Sequence, residues 1–251
     1  FQSQLSKEVS VAGVTLARFI WAGPIAAVYL VGLYLWQDVG VPDFSGRFIG
    51  FILGASAMQI LATGLMVKLF KQQNFAIGAG LAKSEAVVAA ILGTVFFGTH
   101  LSPLGWSGVL LGGVAIFLMS AKQGLRSLSL NTVLIGLACG TSFALTSLWV
   151  REASLCLNIG FPHSAAWVLL FVISLQTLVL VSYLLLKDKS TLAALWQRPK
   201  LTLLTSTASC LGSIGWFSAM SLQAVPYVKT LGQVEVFFMI LIATFWLKEK
   251  V

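Results

Sequence analysis

The sequence is poor in charged residues. Of its 251 residues, 10% are Asp, Glu, Lys or Arg and 58% are hydrophobic, which gives a mean hydropathy of +0.93. A soluble domain carries about 25% charged residues, so this composition excludes an ordinary soluble protein. The alternation over about ten residues that marks the strands of an outer-membrane β-barrel is also missing. The sequence therefore predicts an all-α, polytopic transmembrane helical bundle.

Residue types that carry catalysis or bind metals are also scarce. The three cysteines, Cys139, Cys156 and Cys210, have neither paired nor metal-ligand spacing. The two histidines, His100 and His163, lie at loop edges without catalytic neighbours, and no phosphate-binding loop is present. We therefore expect no enzyme, no metal site and no cofactor.

The net charge of +8 is best explained by membrane topology. The basic residues fall almost entirely in short loops between apolar stretches, with eleven on one side of the predicted membrane and three, Arg47, Arg151 and Lys229, on the other. Because cytoplasmic loops are enriched in Lys and Arg, the first side should be cytoplasmic. No nucleic-acid partner is expected, and the predicted location is a bacterial plasma (inner) membrane.

Eight apolar stretches are long enough to cross a bilayer, which takes roughly 20 residues per helix. They lie at 11–36, 48–70, 74–98, 103–121, 131–150, 163–186, 201–222 and 226–247. An offset of 150 residues places three of them on three others: 11–36 on 163–186, 48–70 on 201–222, and 74–98 on 226–247. The pattern predicts an internal repeat, which is a common build for secondary transporters.

The same offset predicts more helices than the sequence holds. The stretch at 131–150 would have its counterpart before residue 1, and the stretch at 103–121 would have one after residue 251. Complete repeats would then contain five helices each, and an odd number inverts the second repeat in the membrane. The predicted domains are 1–121, a first repeat without its first helix, and 122–251, a second repeat without its last.

Two carboxylates occupy matching positions in these repeats. Glu85 in the segment 80–88 and Glu235 in the segment 230–238 are 150 residues apart, each within an apolar stretch. A charge at a bilayer centre costs roughly 2.5–3.5 kcal/mol on insertion scales, so such a residue is taken as functional by default. In a carrier the two would bind protons or a cationic substrate group. The alternative is a structural ion pair or a buried neutral carboxyl.

Two cations share these apolar stretches. Lys83 lies two positions from Glu85 and so points to another face of a helix, which means that each needs a partner from elsewhere. The repeat places Gln233 opposite Lys83, so this cation is unique to one half and suits a substrate carboxylate. An ion pair with Glu235 or Glu85 is equally compatible. Arg18 either binds substrate or extends toward the cytoplasmic interface.

Polar and aromatic residues fall at the same depth. Gln59 and Thr63 correspond by the offset to Ser209 and Ser213, so the four should face one another if the two-fold relation holds. They either bind a solute or serve helix packing. Trp216 is either a cavity wall or an anchor at the membrane interface.

Several short motifs resemble the drug/metabolite transporter superfamily, in its EamA-like branch. Residues 81–87 read Leu-Ala-Lys-Ser-Glu-Ala-Val, and residues 228–236 read Val-Lys-Thr-Leu-Gly-Gln-Val-Glu-Val. Residues 245–250 (Phe-Trp-Leu-Lys-Glu-Lys) and 15–20 (Thr-Leu-Ala-Arg-Phe-Ile), followed by Pro24, are similar to other helices of that family. The resemblance implies a ten-helix inverted-repeat carrier with a central cavity, moving small metabolites such as amino acids.

The functional expectation is therefore a secondary transporter of small, amino-acid-like or amphipathic solutes. It would work by alternating access, with proton coupling as an option, and as a monomer or a homodimer in the lipid bilayer. The alternative is a non-transporting membrane protein, an assembly partner or a sensor, in which the buried charges are structural.

Overall fold

The structure, a computed structural model, describes residues 9–70, 83–122, 129–235 and 238. Within these ranges all regular structure is α-helical. We number the helices α1 (Val11–Ala17), α2 (Ala22–Trp36), α3 (Gly46–Phe70), α4 (Glu85–Phe96), α5 (Pro103–Lys122), α6 (Leu130–Cys156), α7 (His163–Lys187), α8 (Lys189–Gln197), α9 (Pro199–Leu222) and α10 (Val225–Gly232).

Four helical segments are long and apolar enough to cross a membrane. They are Val11–Trp36 (α1 with α2), Gly46–Leu69, Leu130–Cys156 and His163–Lys187. Helix α9 is of similar length, but its many Ser and Thr residues leave it less apolar than these four. The expectation of an all-helical membrane protein is confirmed for the described part of the chain.

Breaks divide three of the predicted apolar stretches. Residues 18–21 form a turn between α1 and α2, residues 83–84 a turn before α4, and residues 233–234 a turn after α10. A kink near Pro24 was expected from the sequence, whereas at 83–84 and 233–234 the sequence predicted uninterrupted stretches and the structure differs. Glu85 consequently lies in the first turn of α4 rather than in the middle of a helix, where the positive end of the helix dipole favours a carboxylate.

The break at 18–21 is held by hydroxyl and thiol groups of neighbouring helices. Pro24 lacks the N–H that would continue the helical hydrogen bonds across this point. Ser206 donates to the Ala17 carbonyl at 2.7 Å, Thr177 to that of Phe19 at 3.1 Å, and Cys210 to that of Ala22 at 3.6 Å. A break inside an apolar span is tolerated only with such partners.

A short helix, α8, fixes the start of α1. Asp188 caps α8 by accepting hydrogen bonds from the Ser190 hydroxyl and from both the hydroxyl and the backbone N–H of Thr191. These bonds hold the pKa of Asp188 below its usual value. The Thr191 hydroxyl also lies 3.2 Å from that of Ser10, the N-cap of α1. This contact holds the start of α1 against α8.

The most extensive helix contact is between α3 and α6, and a glycine allows it. Gly54 faces the Trp149 ring so closely that an added Cβ would lie 2.7 Å from a ring carbon. Gly50, one turn earlier on α3, faces open space. Of these two glycines, only Gly54 therefore serves close packing.

We expect Gly54→Ala to destabilise the protein and Gly50→Ala not to. The added methyl group at Gly54 has to displace the Trp149 ring, and overpacking of this kind costs about 1–3 kcal/mol. The same change at Gly50 should be neutral or stabilising, because alanine is the better helix former. Thermal unfolding in detergent micelles measures the stability of both variants. Equal unfolding temperatures for the two would contradict the α3–α6 packing.

Candidate functional site

A polar cavity of about 270 Å³ lies among the broken helices. Its walls combine charged and polar side chains with apolar ones. The polar lining comprises Arg18, Gln59, Lys83, Glu85, Thr146, Ser147, Ser213, Lys229 and Glu235. The apolar lining comprises Met66, Phe143, Trp216, Phe217 and Met220. We call this cavity the central pocket.

All three helix breaks supply residues to the central pocket. Arg18 comes from the turn between α1 and α2, Lys83 from the turn before α4, and Glu235 follows the turn after α10. Discontinuous helices expose backbone groups and helix ends at mid-membrane depth, which is where transporters bind solutes. The breaks therefore bring the charged residues together.

Glu85 forms a buried ion pair with Lys229. The Lys229 ammonium nitrogen lies 3.4 Å from a Glu85 carboxylate oxygen, and the two side chains are 9% and 15% exposed, respectively. The same nitrogen lies 4.3 Å from the centroid of the Trp216 ring, which adds a cation–π contact. This pair joins α4 to α10.

Glu235 forms a second ion pair, with Lys83. Its side chain is 41% exposed and that of Lys83 is 28% exposed, so this pair is more accessible than the first. Both pairs cross between the predicted repeats, because each glutamate binds a lysine from the other half of the chain. The expectation that Lys83 and Glu85 need partners from other segments is confirmed.

Arg18 has no carboxylate partner among the described residues. Its Nε donates to the Ser209 hydroxyl at 3.3 Å and its Nη1 to the Thr63 hydroxyl at 3.1 Å. The guanidinium group also lies over the Phe19 ring, 5.6 Å from its centroid. The Arg18 side chain is half-buried and lines the central pocket.

Two glutamines form a buried hydrogen bond between α3 and α7. Gln176 is fully buried and donates from Nε2 to Oε1 of Gln59 at 2.9 Å. Gln59 lines the central pocket, and no described residue accepts a hydrogen bond from its NH₂ group. By contrast, the Thr146 and Ser147 hydroxyls donate to carbonyls one turn earlier in α6, so toward a solute they can only accept.

The sequence-predicted site residues divide into three groups. Those that line the central pocket are Arg18, Gln59, Lys83, Glu85, Trp216 and Glu235. Thr63 and Ser209 lie behind them and hold Arg18. Gln233 does not line the pocket, since its side chain packs on Gly112 of α5 and its Nε2 is buried without a hydrogen-bond partner among the described residues.

Lys229 is the main residue that sequence reasoning misplaced. It was assigned to an outer loop, but it lies in α10, is 8% exposed and pairs with Glu85. The cation is therefore not unique to the first half of the chain, because each half contributes one lysine. Its position three residues after Pro226, a residue that favours helix starts, was the available signal. Gln176 was also missed.

Trp216 separates the central pocket from a larger apolar groove. The groove has a volume of about 750 Å³ and is formed by α9 and α10. It is lined mainly by small and apolar residues, Gly212, Gly215, Trp216, Ala219, Leu222, Gln223, Tyr227, Val228, Leu231 and Gly232. Trp216 is thus a cavity wall, as the sequence allowed, and it faces both spaces.

Comparison with known proteins gives no relative. No protein-family model matches the sequence, and no curated protein matches it significantly. Membership of a family is therefore not shown, and the site is interpreted from its own chemistry.

We expect Glu85→Gln to destabilise the protein more than Glu235→Gln. The first change leaves Lys229 buried without its counter-charge, and breaking a buried pair costs about 3–5 kcal/mol. The second breaks a more exposed pair, for which about 0–1 kcal/mol is typical.

The measurement is unfolding of both variants in detergent micelles. Replacing the two partners together, Glu85→Gln with Lys229→Gln, should recover part of the loss, because no unpaired charge then remains. Equal costs for the two single variants would contradict the different burial of the two pairs.

Proposed function

We propose that this protein is a membrane carrier that moves small metabolites through the central pocket by alternating access. The observation that carries the proposal is the pair of glutamates beside turns within apolar stretches of the sequence, each bound to a lysine from the other half of the chain. Charges in such stretches are costly, and they mark substrate or ion pathways in membrane proteins. We place the protein in a bacterial plasma membrane.

An inverted five-helix repeat is part of this proposal. Three observations support it. The turns at 83–84 and 233–234 are 150 residues apart, and each immediately precedes a glutamate. Arg18 bridges Thr63 and Ser209, which come from the offset-matched helices α3 and α9.

The third observation concerns what covers α3 and α9. The face of α3 that carries Ala62, Leu65, Met66 and Leu69 is packed by α6, where the Cys139 thiol donates to the Ala62 carbonyl at 3.3 Å. The offset-matched face of α9 carries Gly212, Gly215, Trp216 and Ala219, and these line the open apolar groove. The proposed repeat requires an apolar helix in this groove, in the place that α6 takes on α3.

The resemblance to EamA-like members of the drug/metabolite transporter superfamily enters here as a proposal. Two of its motifs contain Lys83, Glu85, Lys229 and Glu235, and the structure joins these four residues in two ion pairs. A carrier built on these motifs would use them to connect its two halves at the solute site.

Opening and closing of the ion pair between Glu235 and Lys83 supplies a mechanism for alternating access. Protonation of Glu235 would release Lys83 and let the turns at 83–84 and 233–234 separate. Deprotonation would restore the pair and close that contact. Glu235 is the more exposed of the two carboxylates and is therefore the one that water reaches, whereas Glu85 is held by Lys229, which in turn lies over the Trp216 ring.

A non-transporting membrane protein is the second candidate, and one observation favours it. Both glutamates are paired with lysines, as they would be if their role were to hold helices together. The two candidates differ in what a neutral residue at position 235 does, because a structural pair of this exposure contributes little to stability.

We expect Glu235→Gln to abolish solute movement while leaving the protein folded and inserted. The measurement is an untargeted comparison of metabolites inside and outside cells that overproduce the wild-type or the variant protein at equal membrane levels. At least one small metabolite should be redistributed several-fold by the wild-type protein alone.

Glu152→Gln is the matched control, because Glu152 lies on α6 and outside the lining of the central pocket. This variant should behave as wild type. Redistribution that survives Glu235→Gln, or its absence from wild-type cells, would reject the carrier.

Exchanging the partners of the buried pair tests the role of Glu85. In Glu85→Lys with Lys229→Glu the ion pair is retained, so the protein should recover most of its stability. Transport should not return, because the carboxylate has moved from the first turn of α4 to α10. Full transport by this double variant would show that only the attraction between α4 and α10 matters.

A further inference from the structure

The central pocket holds one more positive charge than negative charge. Its described lining includes three cations, Arg18, Lys83 and Lys229, and two carboxylates, Glu85 and Glu235. The two lysines are each paired with a carboxylate. Among the described lining residues the excess charge therefore resides on Arg18, whose partners in the described part of the chain are two neutral hydroxyls and an aromatic ring.

Arg18 cannot relieve this imbalance by losing a proton. A guanidinium group stays charged in proteins, and an uncompensated charge away from water is costly. Of its five N–H donors, one on Nε and one on Nη1 are used, by Ser209 and Thr63. The other three, including both on Nη2, bind no described residue, so in the described part of the chain Arg18 retains donors that can bind an anion.

The hydroxyls of Thr63 and Ser209 fix the orientation of this group. They come from α3 and α9, the helices that the repeat offset relates, and they leave the guanidinium half-buried at the wall of the pocket. Preorganisation of this kind lowers the cost of binding, because the side chain has already lost its rotational freedom. Gln59, whose NH₂ group has no acceptor among the described residues, also lines the pocket.

We propose that Arg18 binds the carboxylate of the transported solute and that the substrate class is small monocarboxylates with a single negative charge. This inference rests on the proposed carrier function and deepens it. One excess positive charge matches one carboxylate. A phosphate monoester carries about −1.5 to −2 at neutral pH and would overcompensate it. Guanidinium and carboxylate groups also bind through two parallel hydrogen bonds.

The test is binding to the purified full-length protein in detergent, followed as stabilisation against thermal unfolding. The probes are lactate, propionate and 4-methylpentanoate, each beside its neutral amide (lactamide, propionamide and 4-methylpentanamide), and methyl phosphate. We expect at least one carboxylate to stabilise the wild-type protein where its amide does not. Arg18→Gln should weaken that binding at least about tenfold, since hydrogen bonds to a charged group are lost.

Two variants keep the result interpretable if Arg18→Gln folds poorly. Arg18→Lys retains the charge but not the fork of donors, so it should bind the carboxylate more weakly than wild type and more tightly than Arg18→Gln. Arg47→Gln removes an exposed arginine at the start of α3 that stacks on Phe51 and lies outside the pocket. It should bind like wild type.

Several results would overturn the assignment. Amides that bind as well as their acids, methyl phosphate binding more tightly than every carboxylate, or Arg18→Gln retaining wild-type affinity would each do so. Absence of stabilisation by all the carboxylates would do so as well. Because binding is measured without transport, the two proposals fail separately. A carboxylate that binds but is never moved rejects the carrier, and a moved solute without a carboxylate rejects the role of Arg18.

Discussion

The central constraint on this structure is that polar groups in an apolar protein must be satisfied by the protein itself. Inside a bilayer no water is available to exposed backbone groups, yet the chain breaks its helices at 18–21, 83–84 and 233–234. At the first break, side chains of α7 and α9 bind the freed carbonyls. At the other two, ion pairs join the broken segments. The central pocket lies where these hydrogen bonds and ion pairs meet.

Pairing across the two halves makes the pocket asymmetric in detail although its parts are related by one offset. Glu85 and Glu235 occupy equivalent positions, but their partners do not, because Lys83 precedes Glu85 by two residues and Lys229 precedes Glu235 by six. The two pairs consequently differ in burial. Arg18 has Val168 at its offset-matched position, so the excess charge belongs to the first half alone.

Composition and the length of apolar stretches were enough to predict the fold class, and an ionisable residue in such a stretch was enough to find most of the pocket. Glu85, Glu235, Lys83 and Arg18 all line it. The helix breaks at 83–84 and 233–234 were not predictable, because these residues include no proline or glycine to mark them. Lys229 was misplaced for a different reason. Counting the basic residues of loops assumes that a lysine near the end of a membrane-spanning stretch lies in water.

The difference in burial between the ion pairs suggests a division of roles within one site. A pair that is shielded from water and stacked on Trp216 is costly to open, since either charge would be left without a partner. The pair of Glu85 and Lys229 therefore holds α4 and α10 together. The more exposed pair of Lys83 and Glu235 can exchange its partner for water or a proton at small cost. In the proposed carrier both kinds of contact are needed, one that holds helices together and one that opens, and Arg18 supplies the charge that a bound anion would neutralise.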